Sequence, residues 1–444
     1  MPWRLAVVLV ALGAFVMSGA ESMSGAGTQA PAGDPLNPLA ERYVKLVLAV
    51  GQHDADYVDA FYGPPEWRTA AEAAKTPLAE LTSSAEALGA EIDAVNARPT
   101  RAADAELWAL RKTYLRRQVA ALQARTAMLQ GRKLTFDEES QALYDAVAPH
   151  HAEAEFAKTL SLLDAQLPGD GPLIERYDRF KQQFVVPRDR LDRVFQAAIR
   201  ACKDRTMAYV ELPPGESFTV EYVTGKSWSG YNWYQGNYRS LIQVNTDLPI
   251  YVERALDLAC HEGYPGHHVY NVLLEKHLVR DRGWMELSAY PLFSPQSLIA
   301  EGTANYGIEV AFPTQDRLDF ERDVIFPLAG LDPSRAAAYY AVNDLVDRLS
   351  YAGNEAARQY LDGAMTRDEA ASWLERFAMM PRARAEQRVR FFEQYRSYVI
   401  NYNLGKDLVA AFIQRRVGRD NGPRKRWTEF AALLSSPRLP SGLK

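Results

Sequence analysis

Along most of the chain, apolar residues recur every three or four positions. DPLNPLAERYVKLVLAVGQH (34–53), AELWALRKTYLRRQVAALQARTAMLQ (105–130) and DEESQALYDAVAPHHAEAEFAKTLSLLDAQL (137–167) all carry this helical period, with few β-branched runs. The N-terminal half therefore reads as a helical array. Between Ser217 and Thr246 the period drops to two. SFTVEYV and SLIQVNT alternate around a Gly- and aromatic-rich connection, GKSWSGYNWYQGNYR, so a small sheet or hairpin is expected there. TDLPIYVERALDLACHE restarts a helix, with Thr246 or Asp247 as capping residue and Pro249 in the first turn. Helical periodicity then returns in SPQSLIAEGTANYGIEVAF, PSRAAAYYAVNDLVDRLSYAGNEAARQYL and YVINYNLGKDLVAAFIQRR. The expected fold class is mostly α, with a small β-sheet. No internal repeat and no domain boundary shows after Pro35, so residues 36–444 are expected to form one helical domain.

The ends of the pattern differ from its middle. Residues 1–20, MPWRLAVVLVALGAFVMSGA, combine Arg4, an apolar run from Leu5 to Val16 and small residues at Ser18 to Ala20. That run is short for a bilayer span, which takes roughly 20 apolar residues, and it reads as a secretory signal. Residues 21–35, rich in Gly, Ala, Ser and Pro, read as a linker. The mature chain is expected to be periplasmic or secreted, without a lipid anchor because no Cys lies near the signal, and without membrane contact after signal removal. An uncleaved N-terminal anchor is the lesser alternative.

At 444 residues, 47% hydrophobic and 24% charged, the chain can bury a large core. A net charge of −5 with interspersed signs gives no nucleic-acid footprint, and the one basic run, Gly418 to Trp427, reads as a solvated loop. The two cysteines, Cys202 and Cys260, exclude a Cys-rich metal site. Export would allow them to pair, but their apolar helical settings favour two buried thiols. Oligomeric state leaves no mark on the sequence.

Candidate chemistry is concentrated in LDLACHEGYPGHHVYNVLLEK, Leu256 to Lys276, which holds three of the seven histidines. In an unbroken helix His261 and His267 would be about 9 Å apart along the axis and on different faces, and His261 and His268 about 10.5 Å apart. Neither pair could share an ion that wants nitrogens about 2.1 Å away. Pro265, which cannot donate to the carbonyl of His261, and the permissive Gly263 and Gly266 predict an interruption between Glu262 and His267. A bulge there would return one of the two later histidines to His261. Glu262 would then sit where a general base for an attacking water belongs. A third ligand is sought downstream, and Glu301, an acid in the apolar turn LIAEG, is the first candidate, because a cation would offset its burial. Glu309 is the reserve.

HEGYPGHH followed by EGTANYG resembles the bacterial family known as domain of unknown function 885, which carries His-Glu-x-x-Pro-Gly-His-His and a later Glu-Gly-x-Ala-x-Tyr. The resemblance implies a zinc-metallopeptidase-like, two-lobed helical fold, similar to the carboxypeptidase Taq and thimet groups. It implies that His261, His267 and Glu301 bind Zn2+, that Glu262 is the base, and that His268 lies behind the ligands or faces substrate. Thr303 stands where the family has Trp. SYVINYNLGK resembles the family's Tyr-x-x-Gly segment, which makes Tyr402 a candidate donor to the oxyanion, against the alternative of a buried core tyrosine. Ser240 to Thr246 would be the edge strand that holds an extended substrate, or else a strand that closes the sheet. The function expected is that of an exported zinc hydrolase acting on a peptide or peptide-like substrate. A hydrolase of other amides or esters would share these residues. A metal-binding scaffold would not need Glu262.

Overall fold

The computed structural model describes residues 33–96, 104–419 and 422–444. The expected signal segment and all but the last three residues of the expected linker lie outside them. The fold is mostly helical, with a small sheet, as the periodicity predicts. Helix Leu36–Val50 is typical of how the helices arise: Leu36, Leu39, Ala40, Tyr43, Val44 and Val47 share one face and are all buried. No described helix is long and apolar enough to cross a membrane.

Two of the long helical readings are broken. Residues 137–167 divide into helices Phe136–Tyr144 and Glu153–Gln166, because Asp145 turns the chain with φ 55° and Pro149 follows soon after. The 333–361 stretch likewise splits into Ala336–Asp347 and Ala352–Leu361. The basic run is not a simple loop either, since Pro423–Leu434 is a helix and Trp427 is buried against the core.

Among the described residues, five strands form two small sheets. β1 (Val58–Phe61) pairs antiparallel with β5 (Ala289–Pro291). β2 (Ser217–Val223), β3 (Gly230–Gly236) and β4 (Arg239–Asn245) form a sheet in the order β2-β4-β3, with β2 parallel and β3 antiparallel to β4. β3 therefore lies inside the stretch expected to be a connection. It joins β4 through Asn237 and Tyr238, both at positive φ (53° and 61°), the conformation a tight hairpin requires. The strand expected at the edge, Ser240 to Thr246, is instead the central one, and β3 is an end strand.

The helix after the sheet starts at Val252, later than expected, with Tyr251 at its N-cap. Asp247 does not cap it. Its carboxylate accepts hydrogen bonds from the backbone of Gly225 and Lys226 at 2.7 and 3.2 Å and ties down the loop before β3.

Two hydrophobic clusters of described residues fill the interior. One joins the β2-β4-β3 sheet to the segment from Val252 to Leu278 and to the C-terminal helices. The other joins the N-terminal helices to residues 342–404. They meet along helix Pro295–Ala311, where Leu298 belongs to one cluster and Ile299 and Ala300 to the other. Cys202, on helix Leu191–Met207, and Cys260 form a disulfide with Cα atoms 5.6 Å apart, against the expectation of two thiols. The two apolar faces that suggested burial are packed on each other, which is what brings the sulfurs together.

Candidate metal centre

Helix Val252–Leu258 widens into a π-helical stretch, Ala259–Gly263, and then stops. A new helix, His267–Leu274, begins after the Tyr264-Pro265-Gly266 wedge, whose Tyr264–Pro265 peptide is cis. This interruption between Glu262 and His267 is the one the sequence predicts. The chain doubles back so tightly that a Cβ on Gly266 would lie 1.8 Å from the carbonyl oxygen of His261, while the Gly266 N–H donates to the carbonyl of Cys260 at 2.9 Å. Only glycine fits there.

The fold-back places His267 Nε2 3.1 Å from His261 Nε2. Glu301 Oε2, from helix Pro295–Ala311, lies 3.2 Å from the His261 nitrogen and 3.7 Å from that of His267. Three atoms bound at about 2.1 Å in a tetrahedral arrangement would be about 3.4 Å apart, so the triangle has the dimensions of a ligand set. Glu301 Oε2 is buried and has no hydrogen-bond partner. A buried carboxylate oxygen left in this way is costly unless a cation meets it. Burial would raise the Glu301 carboxyl, but the two imidazoles outweigh it and hold the group well below the usual range. Burial would likewise lower His267, yet Glu301 raises it to about 9.

Neighbouring side chains fix the three. His261 Nδ1–H donates to Asn305 Oδ1 at 3.1 Å, which directs Nε2 and its lone pair to the cluster. Asn305 is itself held by donating to the carbonyl of Tyr402 at 3.2 Å. Tyr398 O–H donates to Glu301 Oε1 at 2.8 Å and leaves Oε2 to face the imidazoles. Neither Asn305 nor Tyr398 is singled out by the sequence, although Asn305, four residues after Glu301, must share its helix face.

Helix Pro295–Ala311 can reach this position because it touches helix Ile400–Val417 backbone to backbone. A Cβ on Gly302 would lie 2.5 Å from Gly405 backbone atoms, and one on Gly405 would lie 2.8 Å from the carbonyl oxygen of Leu298. The glycines of EGTANYG and YNLG are thus the contact that brings Glu301 beside Tyr398 and Tyr402.

Glu262 is buried beside the cluster, and burial raises its carboxyl above the ordinary value against the pull of His261 and His267. Gly230 of β3 runs so close that a Cβ there would lie 2.8 Å from Glu262 Oε1. Tyr402 sits in the first turn of its helix. Burial first, and then the Glu301 charge, push its phenol well above the usual range, so it is a hydrogen-bond donor at any ordinary pH. Asp59, on β1, is a further acid that the sequence does not disclose. It accepts a hydrogen bond from Tyr231, and burial raises it to about 6. Asp59 and Tyr231, with Trp228, Trp233 and Tyr395, line a cavity of about 630 Å³.

Two candidates lie elsewhere. Glu309 points outward to Lys406 at 2.6 Å and is half exposed, away from the triad. His268, 0% exposed, is turned away from the triad: Nε2–H donates to Glu216 at 2.9 Å and Nδ1 accepts from the Ser240 hydroxyl at 2.9 Å. Glu216 also receives Tyr264 O–H at 2.6 Å and Lys203 at 2.8 Å. Burial works against these contacts, which nonetheless hold its carboxyl down at about 2. His268 thus anchors the wedge to the start of the sheet.

No protein-family model matches the chain, and no curated protein does. Among solved structures, a candidate lipoprotein from Colwellia psychrerythraea is similar in fold, with 15% identity over 82% of this chain and 65% of that one and a TM-score of 0.51. The chain thus spans just under two thirds of that protein. A candidate lipoprotein of unknown function from Shewanella oneidensis aligns with 14% identity over 85% of this chain and 75% of that one, at a TM-score of 0.46. A carboxypeptidase from Pyrococcus furiosus aligns with 12% identity over 90% and 87%, at 0.41. The last two scores are too low to carry a conclusion, and the first speaks for the fold alone.

Proposed function

We propose that this chain is a zinc-dependent hydrolase and that peptides are its substrates. The observation that carries the reading is the convergence of His261 Nε2, His267 Nε2 and Glu301 Oε2, with that carboxylate oxygen buried and otherwise without a partner. Two imidazoles and one carboxylate are a donor set suited to zinc at a site that keeps a position open. A zinc ion held there would polarise a substrate carbonyl and acidify a water molecule.

The chain's own groups supply the rest. Glu262, buried and raised in pKa, is the base that takes a proton from the attacking water and the acid that returns it to the leaving amine. Tyr402, kept protonated, is the donor to the oxyanion that develops on the carbonyl oxygen. Asn305 and Tyr398 hold the ligands in place. An amide or ester hydrolase of another kind would use the same residues. What favours peptides is β3, an end strand that passes Glu262 at Gly230 and offers main-chain groups to an extended substrate. The Cys202–Cys260 disulfide suits an oxidising compartment and so supports export of the mature chain to the periplasm or beyond.

The test compares the purified mature protein with Glu262→Gln, His261→Ala and Glu301→Ala, measuring zinc by mass spectrometry and turnover on a peptide library. About one zinc per chain is expected in the wild type and in Glu262→Gln, with turnover in the latter down by roughly two orders of magnitude or more. The two ligand variants should lose zinc itself. A soluble wild-type protein that refuses added zinc would end the proposal.

A further inference from the structure

The cavity of about 630 Å³ lies alongside the metal centre, because β3 passes Glu262 at Gly230 and enters the cavity wall with the next residue, Tyr231. Its size is within the usual range of ligand-binding pockets. Three rings follow one another along the wall. The ring centres of Trp228 and Tyr231 are 5.3 Å apart, and those of Tyr231 and Trp233 are 4.4 Å apart. Tyr231 and Trp233, two residues apart, share one face of β3, and Trp233 is left 38% exposed.

Asp59 marks the inner end of the cavity, since the charges of His267, Glu301 and Glu262 reach it. The register of β1 against β5 shifts between Val58 and Ala60, so Asp59 is the extra residue of a bulge, a device that re-aims a side chain. Its Oδ1 accepts from the Tyr231 hydroxyl, and among the described residues its Oδ2 has no hydrogen-bond or ion-pair partner. With its carboxyl at about 6, the group is charged at neutral pH. The other two acids of the wall are exposed and already engaged: Asp56 accepts from the Gln394 amide at 3.2 Å, and Asp247 from the backbone of Gly225 at 2.7 Å. Two bases, Lys226 and Arg390, also line the wall, but both are exposed, and Lys226 Nζ already lies 5.7 Å from the Trp228 ring centre. Water and salt screen exposed charges, whereas a sheltered carboxylate is screened much less, so Asp59 sets the sign of the inner end. A carboxylate beyond a row of negative ring faces is a receptor for a cation.

We propose that this cavity selects the substrate and takes the cationic side chain of a lysine or arginine, with Asp59 as its counter-ion and the rings of Trp228, Tyr231 and Trp233 along its stem. The proposal rests on the peptidase reading and adds the kind of residue selected, whichever end of the peptide is cut. Because the apolar stem of such a side chain packs on rings while its head needs an anion, the order of groups along the wall matches the order of groups along the side chain.

Two readouts keep the proposals apart. The first is calorimetry on zinc-loaded Glu262→Gln protein, which should bind peptides without cutting them. It compares pentapeptides carrying one lysine among alanines, at each position in turn, with the same peptides carrying norleucine, an uncharged stem of similar length. Each set is offered with a free and with an acetylated N-terminus. In at least one position lysine should bind at least about tenfold more tightly than norleucine, acetylated or not, and adding Asp59→Asn should reduce the ratio to about twofold or less. Adding Trp233→Leu instead, at an exposed position, should reduce it by about threefold. No preference for lysine, absence of binding included, overturns the proposal. So does a preference that survives Asp59→Asn, or one that requires a free N-terminus and would thus belong to the peptide's own ammonium. The second readout gives the same peptides, with free ends, to zinc-loaded wild type. A kcat/KM at least about tenfold higher for lysine than for norleucine is expected. Equal cleavage of both overturns the proposal and leaves the peptidase reading standing. Cleavage of neither, with the binding preference intact, would sink the peptidase reading and leave the cavity as a cation site.

Discussion

His261 can serve as a ligand only if its Nε2 carries the lone pair, and that is decided by a neutral amide, Asn305, on the helix that also carries Glu301. Replacing Asn305 with Ala leaves all three ligand side chains in place but frees the imidazole to rotate or change tautomer. Zinc affinity should fall by about 10- to 100-fold, as is usual when a hydrogen-bond partner of a ligand is removed, while the site still fills at excess zinc. Competition against a coloured chelator measures this, and an unchanged dissociation constant would mean that Asn305 plays no part in holding the ion. The sequence discloses His261, Glu262, the later histidine pair and Glu301 because such groups are conspicuous beside apolar helices. It does not disclose Asn305 or Tyr398, since a neutral amide and one tyrosine among 23 carry no mark until the partners are known. The choice between His267 and His268 is likewise a property of the fold-back. Their spacing from His261 leaves it open, and the Ser240 and Glu216 contacts of His268 settle which of them turns inward.

At the scale of elements, the site depends on one helix that breaks and two that touch. The break was legible, because Pro265 removes a donor and two glycines flank it. The touching was not, since GTANYG and NLGK are far apart in sequence and only packing shows that Gly302 and Gly405 meet. Gly302→Ala places a methyl group 2.5 Å from Gly405 backbone atoms, which neither helix can absorb by a side-chain shift. Denaturant unfolding should show a loss of about 1–3 kcal/mol, the usual scale of overpacking. Zinc affinity should fall with it, because the same displacement moves Glu301 from Tyr398. An alanine variant as stable as the wild type would contradict this packing. The sheet shows the opposite balance. Alternation locates β2 and β4, but strand order depends on pairing, and so periodicity leaves open whether Ser240 to Thr246 is an edge strand or one that closes the sheet. β3 was hidden in a stretch of glycines and aromatics that serve its hairpin and the cavity.

For the molecule as a whole, the link between the Cys202 and Cys260 helices is the covalent counterpart of the wedge. It ties helix Leu191–Met207 to the residue immediately before His261, and it closes a loop of 58 residues. Apolar surroundings alone pointed to free thiols, because burial of a sulfur looks the same in sequence whether or not a second sulfur lies across the interface. On loop closure alone the bond restricts the unfolded chain by roughly 4 kcal/mol, an upper figure where the reduced chain keeps residual structure. The double variant Cys202→Ala, Cys260→Ala should therefore unfold at a clearly lower urea concentration. The comparison belongs on metal-free protein, since bound zinc would add its own stabilisation and mask the difference. Treatment of the wild type with a reductant strong enough to open the bond should move its midpoint towards that of the variant and leave the variant where it is. If the midpoints of oxidised wild type and variant coincide, the two sulfurs are not joined in the folded protein, and the support they lend to export falls with them.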